Sequence, residues 1–181
     1  TYKLIHKRVQ STISDLEKDC AADTPLIVMA HSLGGHIMSN YIYDTQKSAF
    51  LAEKAGEAGL TNFQNLKTMG GFLTFGCNIP LFTLAYPENK VEPIRFPGTE
   101  LEEEQQLTPW WLNFYDKDDA LGFPLGQTGP KYQAMIDNGT LQDRPMNAGN
   151  VFVSRTMLSH NAYWNDDEFY EPVAKFIKKF L

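Results

Sequence analysis

Apolar positions along this chain follow two different rhythms, and the two alternate. Ile5, Val9, Ile13 and Leu16 recur at helical spacing, with Lys3, Lys7, Gln10 and Ser14 between them. That spacing predicts an amphipathic helix over residues 2–20. "AADTP" (Ala21 to Pro25) breaks it, and "LIVMA" follows as a short apolar run without alternation. Such a run fits a strand buried on both faces, as in a parallel sheet. "GGHIMSNYIYDTQ" returns to helical spacing, with Ile37, Met38, Tyr41 and Ile42 inward. Residues 48–58 read as helix and residues 61–68 as a looser helical turn.

Three more strands are expected: Met69 to Gly76, Trp110 to Asp116, and Asn150 to Ser154. Between the first two lies a long, proline-rich and acidic stretch. It reads as a lid-like insertion at about 81–109 rather than regular structure. "KYQAMIDNG" suggests a short helix. The last helix carries Phe169, Val173, Phe176, Ile177 and Phe180 as its stripe, with Asn165 as the expected cap and Glu168 at its third position. The alternation as a whole predicts one α/β domain with a mostly parallel sheet flanked by helices.

Composition narrows the functional classes. The chain has 181 residues, 43% of them hydrophobic, and a formal net charge of −6. That is a globular make-up, and it argues against broad binding to a nucleic-acid backbone, which needs clustered Lys and Arg. No apolar run reaches the length of a transmembrane helix, and no signal peptide opens the chain. Cys20 and Cys77 offer neither a disulfide framework nor a metal-like spacing, so both read as free thiols. The acidic pI of about 5.2 and the free cysteines lean towards a cytoplasmic location. The "NGT" at Asn138 to Thr140 reads as an accidental sequon. No cofactor or metal constellation stands out.

The candidate chemistry sits where the first strand turns into a helix. In "LIVMAHSLGG", Ser32 follows the buried run directly, at the carboxyl end of the sheet where open α/β sheets bind ligands. A turn that sharp needs small residues two positions either side, and these are Ala30 and Gly34. Gly35 then lets the helix lie close to the sheet. This is the nucleophile-elbow pattern G-x-S-x-G with alanine in the first position. Its geometry would aim the Leu33 N–H at a developing oxyanion.

An activated serine needs a histidine base oriented by a carboxylate. Of four histidines, His6 precedes the strand, His31 is expected to point away from its neighbour Ser32, and His36 lies a turn into the helix. His160, in "LSHNAYW" before the last helix, is the candidate. For the acid, Asp116, Asp118 and Asp119 all follow the third strand. Asp119 has the better register, three residues beyond the strand end, with Asp118 its rival and Asp116 read as ending the strand or capping the loop.

"LIVMAHSLGGH", "YDKDDALGFPL" and "LSHNAYW" together resemble the C-terminal half of an α/β-hydrolase of the Ser-His-Asp type, and the resemblance runs the length of the chain. It implies a doubly wound sheet and hydrolysis of an ester-like small molecule through an acyl-serine, with no cofactor. Thioester hydrolysis, acyl transfer, or a non-catalytic module that binds a ligand are the alternatives. The family normally has further strands before the nucleophile strand and a second oxyanion donor, often in an HGG-type segment. None is found here, so both are expected upstream of Thr1. Phe72, Phe75, Phe82, Trp110 and Trp111 are candidates for an acyl pocket or for core.

Overall fold

The computed structural model describes residues 1–55, 59–148 and 159–181. Their order is α1 (Tyr2–Glu17), β1 (Leu26–His31), α2 (Leu33–Ala55), β2 (Met69–Phe75), α3 (Ile79–Thr83), β3 (Trp111–Asp116), α4 (Pro130–Asp137), β4 (Leu141–Met146), α5 (Ser159–Ala162) and α6 (Asp167–Ile177), with short 3-10 turns between some of them. The described strands form one four-stranded sheet in the order β1-β2-β3-β4, and every pairing is parallel. The chain is therefore α/β.

Side chains alternate across the sheet, as the period of two requires. Phe72 and Trp111 face a core that also takes in Ile13 of α1, Tyr41 and Ile42 of α2, and Tyr132 of α4. Leu73, Phe75, Leu112 and Phe114 face the other way, onto Phe169, Val173 and Phe176 of α6. With helices on both faces, central β2 is buried at every position. Among the described strands β1 pairs with β2 alone; only its Ala30 is buried and Met29 is 42% exposed, so the expected burial on both faces does not hold for β1.

Several expectations shift. The helix after β1 runs unbroken from Leu33 to Ala55, rather than stopping before residue 48. The expected strand at Asn150–Ser154 lies outside the described residues. A fourth strand that the pattern did not suggest, Leu141–Met146, pairs with β3. Its Gln142, Asp143, Arg144 and Pro145 hide it from a hydropathy reading. α6 is capped by Asp166, whose carboxylate accepts the Glu168 N–H, while Asn165 belongs to the preceding 3-10 turn. The 81–109 stretch divides in two. Leu81, Phe82, Leu84 and Tyr86 are exposed, whereas Val91, Ile94 and Leu101 are buried. Gln46 of α2 exchanges two hydrogen bonds with the Arg95 backbone, and Lys131 of α4 pairs with Glu92, which ties the second part down.

One row of polar side chains crosses the sheet interior in register. Thr74, Asn113 and Asp143 are neighbours on β2, β3 and β4. Thr74 Oγ1 receives the Trp111 indole N–H and donates to Asn113 Oδ1. Asn113 Nδ2 donates to Asp143 Oδ1 and to the Phe123 carbonyl. Asp143 also accepts the backbone N–H groups of Leu125 and Gly126. Each side chain of this row thus finds partners, as burial demands. The row also fixes the far end of the loop that leaves β3.

Candidate active site

Ser32 stands between β1 and α2 with φ of 55°, in the left-handed region that residues other than glycine rarely enter. Holding such a backbone costs about 1–3 kcal/mol. Two links keep it there: the Ser32 N–H donates to the Phe75 carbonyl on β2, at 3.0 Å, and the Gly35 N–H donates back to the Ser32 carbonyl. The small neighbours differ in how far the packing requires them. Ala30 is buried, and a Cβ on Gly34 would lie 3.9 Å from the Ala30 methyl, an ordinary contact, so the space around Gly34 does not itself demand glycine. A Cβ on Gly35 would lie 2.5 Å from Cys77 Sγ, closer than atoms tolerate. Leu33 is the first residue of α2, so its amide is one of the helix-start N–H groups that have no intrahelical acceptor.

His160 lies on α5 rather than in an open loop. Its Nε2 is 2.7 Å from Ser32 Oγ, across 128 positions of sequence. Its Nδ1 is 2.9 Å from Asp119 Oδ2 and 3.0 Å from Oδ1. Side-chain exposure is 14% for His160 and 1% for Asp119. The structure therefore brings Ser32, His160 and Asp119 into one hydrogen-bonded line. Asp118 is exposed and stands outside it. Asp116 ends β3 fully buried, its carboxylate accepting the N–H groups of Asp118 and Ala148. It caps the turn that carries Asp119.

A buried carboxylate needs several donors. Asp119 has three: the His160 ring, the Leu121 N–H on Oδ1, and the Tyr163 hydroxyl on Oδ2 at 3.0 Å. Tyr163 also accepts the Asp116 N–H at 2.8 Å, so one phenol joins both aspartates. Burial, foremost, pushes the Tyr163 hydroxyl pKa far up, which keeps its proton available to Asp119. Glycines make the space. A Cβ on Gly122 would sit 2.6 Å from Asp119 Oδ2, and Gly76, at φ of +54°, faces Asp119, His160 and Tyr163.

His31 departs from expectation. Its ring does not swing away from the site but stacks on Phe75, with centroids 5.0 Å apart, and lies 4.7 Å from the His160 ring. Its Nε2 is 2.7 Å from the His160 backbone carbonyl. His36 stacks on Phe82 and hydrogen-bonds Asn40. Burial lowers the pKa of both histidines. Of the five aromatics suggested for an acyl pocket, Phe72, Phe75, Trp110 and Trp111 are core. Phe82 instead lines a cleft of about 610 Å³ between α2 and α3, with His36, Tyr43 and Tyr86. Cys77 is buried, which pushes its thiol up to about 12.

Tyr163 and His31 were missed as members of this cluster. A tyrosine three residues after the candidate histidine was the only signal for the first. For the second, His31 keeps its strand register opposite Phe75, and it is Ser32, at positive φ, that leaves the alternation and meets His160 on the same side.

In comparison with known proteins, the chain matches no family model, no curated protein and no solved structure. Among the described residues, no group of three His, Cys, Asp or Glu side chains is arranged to hold a metal ion, and no helix is long and apolar enough to cross a membrane.

Proposed function

We propose that this protein is a serine hydrolase of the α/β-hydrolase type, acting on carboxylic esters or related acyl compounds. The observation that carries this reading is the line Ser32 Oγ, His160 Nε2, His160 Nδ1, Asp119, with both contacts of the histidine at hydrogen-bond length. A serine hydroxyl is a weak nucleophile until a base takes its proton as it attacks. His160 is in reach to do that at Nε2. Asp119 accepts the Nδ1 proton, which fixes the tautomer that leaves Nε2 free and favours the imidazolium that forms.

In the first step Ser32 Oγ bonds to the substrate carbonyl carbon, its proton passes to His160, and the carbonyl oxygen becomes an oxyanion facing the Leu33 N–H. The intermediate collapses by breaking the ester C–O bond, and His160 gives its proton to the leaving alcohol. Water then repeats the sequence on the acyl-serine. The strained φ at Ser32 supports the reading, because strain of that kind is retained where the surroundings enforce it.

The test is reaction of the purified protein with a fluorophosphonate. Labelling at Ser32 is expected, and Ser32→Ala should abolish it. Asp119→Asn should slow turnover of an activated ester by about 10⁴-fold, while Asp118→Asn should leave it near the parent rate. A folded protein that resists the probe would falsify the proposal.

A further inference from the structure

His31 is the last residue of β1, the strand that delivers Ser32, and its Nε2 lies 2.7 Å from the main-chain carbonyl of His160. The two residues are 129 positions apart. A carbonyl can only accept, so Nε2 carries the proton and His31 donates. Burial, the largest influence, holds the His31 pKa below the ordinary histidine value, so the ring is neutral with this N–H as its single donor. Phe75 stacks against one side, and Tyr163 and Trp164 close in at centroid distances of 6.2 and 5.8 Å. The ring has little freedom to turn away.

The bond matters because of what it holds. His160 sits on a helix of four residues, too short to be stable by itself. Two contacts tie this residue to the Ser32 strand: its ring to Ser32 Oγ, and its carbonyl to His31. The first cannot last through the reaction proposed above, on which this inference rests. Once Ser32 is acylated, its oxygen has no proton to give and has turned to the acyl carbon. The second is untouched by that change.

We propose that His31 is a positioning residue for the second half of the reaction, holding His160 in place while Ser32 is acylated. In that half, a water oxygen bonds to the acyl carbon and its proton moves to His160 Nε2. The C–Oγ bond then breaks, the proton passes to Ser32 Oγ, and the acid leaves. His160 must find the water without guidance from the Ser32 hydroxyl. Removing the His31 donor therefore slows deacylation more than acylation.

Steady-state kinetics on p-nitrophenyl acetate, with His31→Phe and His31→Gln, separate this from packing. Phenylalanine keeps the stack on Phe75 and lacks the donor. Glutamine keeps an N–H of similar reach and lacks the ring. With deacylation slowed, kcat and KM fall together. The expectation for His31→Phe is about a tenfold fall in both, the size of one lost hydrogen bond, with kcat/KM within about twofold of the parent. His31→Gln should restore kcat. A kcat/KM that falls as far as kcat, an unchanged kcat in His31→Phe, or equal loss in both variants overturns the proposal. So does a wild-type His31 whose ¹⁵N shifts report the Nδ1–H tautomer, a measurement that needs no variant. Failure of the wild type to turn over the ester, or to react with the fluorophosphonate, would sink the hydrolase reading instead.

Discussion

Tyr163 holds two parts of the site at once. Its hydroxyl gives its proton to Asp119 and takes one from the Asp116 amide, so the turn between the two aspartates is closed by a side chain 44 positions away from Asp119. Tyr163→Phe keeps the ring and removes only the oxygen. It leaves Asp119 with two donors and strands a buried N–H. Hydrogen bonds to charged groups are worth about 1.5–3 kcal/mol, so stability in a urea titration should fall by about that amount. The fluorophosphonate rate should fall as well, because His160 then leans on a less firmly held carboxylate. Unchanged values of both would mean that the phenol is only core filling. At this scale the sequence was informative where chemistry is local. Ser32 was legible from its small neighbours, and Asp119 from its distance past the strand. Tyr163 and His31 were not, because their roles depend on which elements meet in space.

At the scale of elements, the approach of α2 to the end of β2 depends on one missing side chain. A methyl on Gly35 would overlap Cys77 Sγ at 2.5 Å, and Cys77 is fully buried and cannot step aside. Gly35→Ala should therefore destabilise by about 1–3 kcal/mol, the usual toll of overpacking. The double variant with Cys77→Ala should recover most of it, since the next nearest atoms, Cys77 Cβ and Thr74 Cγ2, are at an ordinary 3.5 Å. Additive losses in the double variant would show that the clash is not the cause. The same scale explains which elements the pattern revealed. β2 is buried at every position and α6 has a full stripe, so burial itself writes their signatures, whereas β1 is an equally apolar run of which only Ala30 is buried. β4 was invisible because its polar residues are used structurally, Asp143 in particular, which anchors the backbone at Leu125 and Gly126. β4 is also an edge strand in the described sheet, where Pro145 is tolerated.

At the scale of the whole molecule, the strand order assigns each candidate group to a different connection. Ser32 follows β1, Asp119 follows β3, and His160 comes after β4, all at the carboxyl end of the parallel sheet. The long stretch between β2 and β3 resisted a sequence reading for the same reason of scale. Its buried Val91, Ile94 and Leu101 are scattered among exposed residues, with no period to betray them.

The 128 positions between Ser32 and His160 also have a consequence in time. Contacts so distant along the chain are reached only after the intervening loops have closed, and that entropy opposes them early in folding. Ser32 thus acquires its partner near the end of the process, when the four described strands have met. On the proposed function, a chain that is still incomplete carries a hydroxyl without its base and would not attack esters around it. Refolding from urea should show this as a delay. Tryptophan fluorescence, reporting burial of Trp110 and Trp111, should recover no later than reactivity towards the probe, and reactivity that returned first would contradict it.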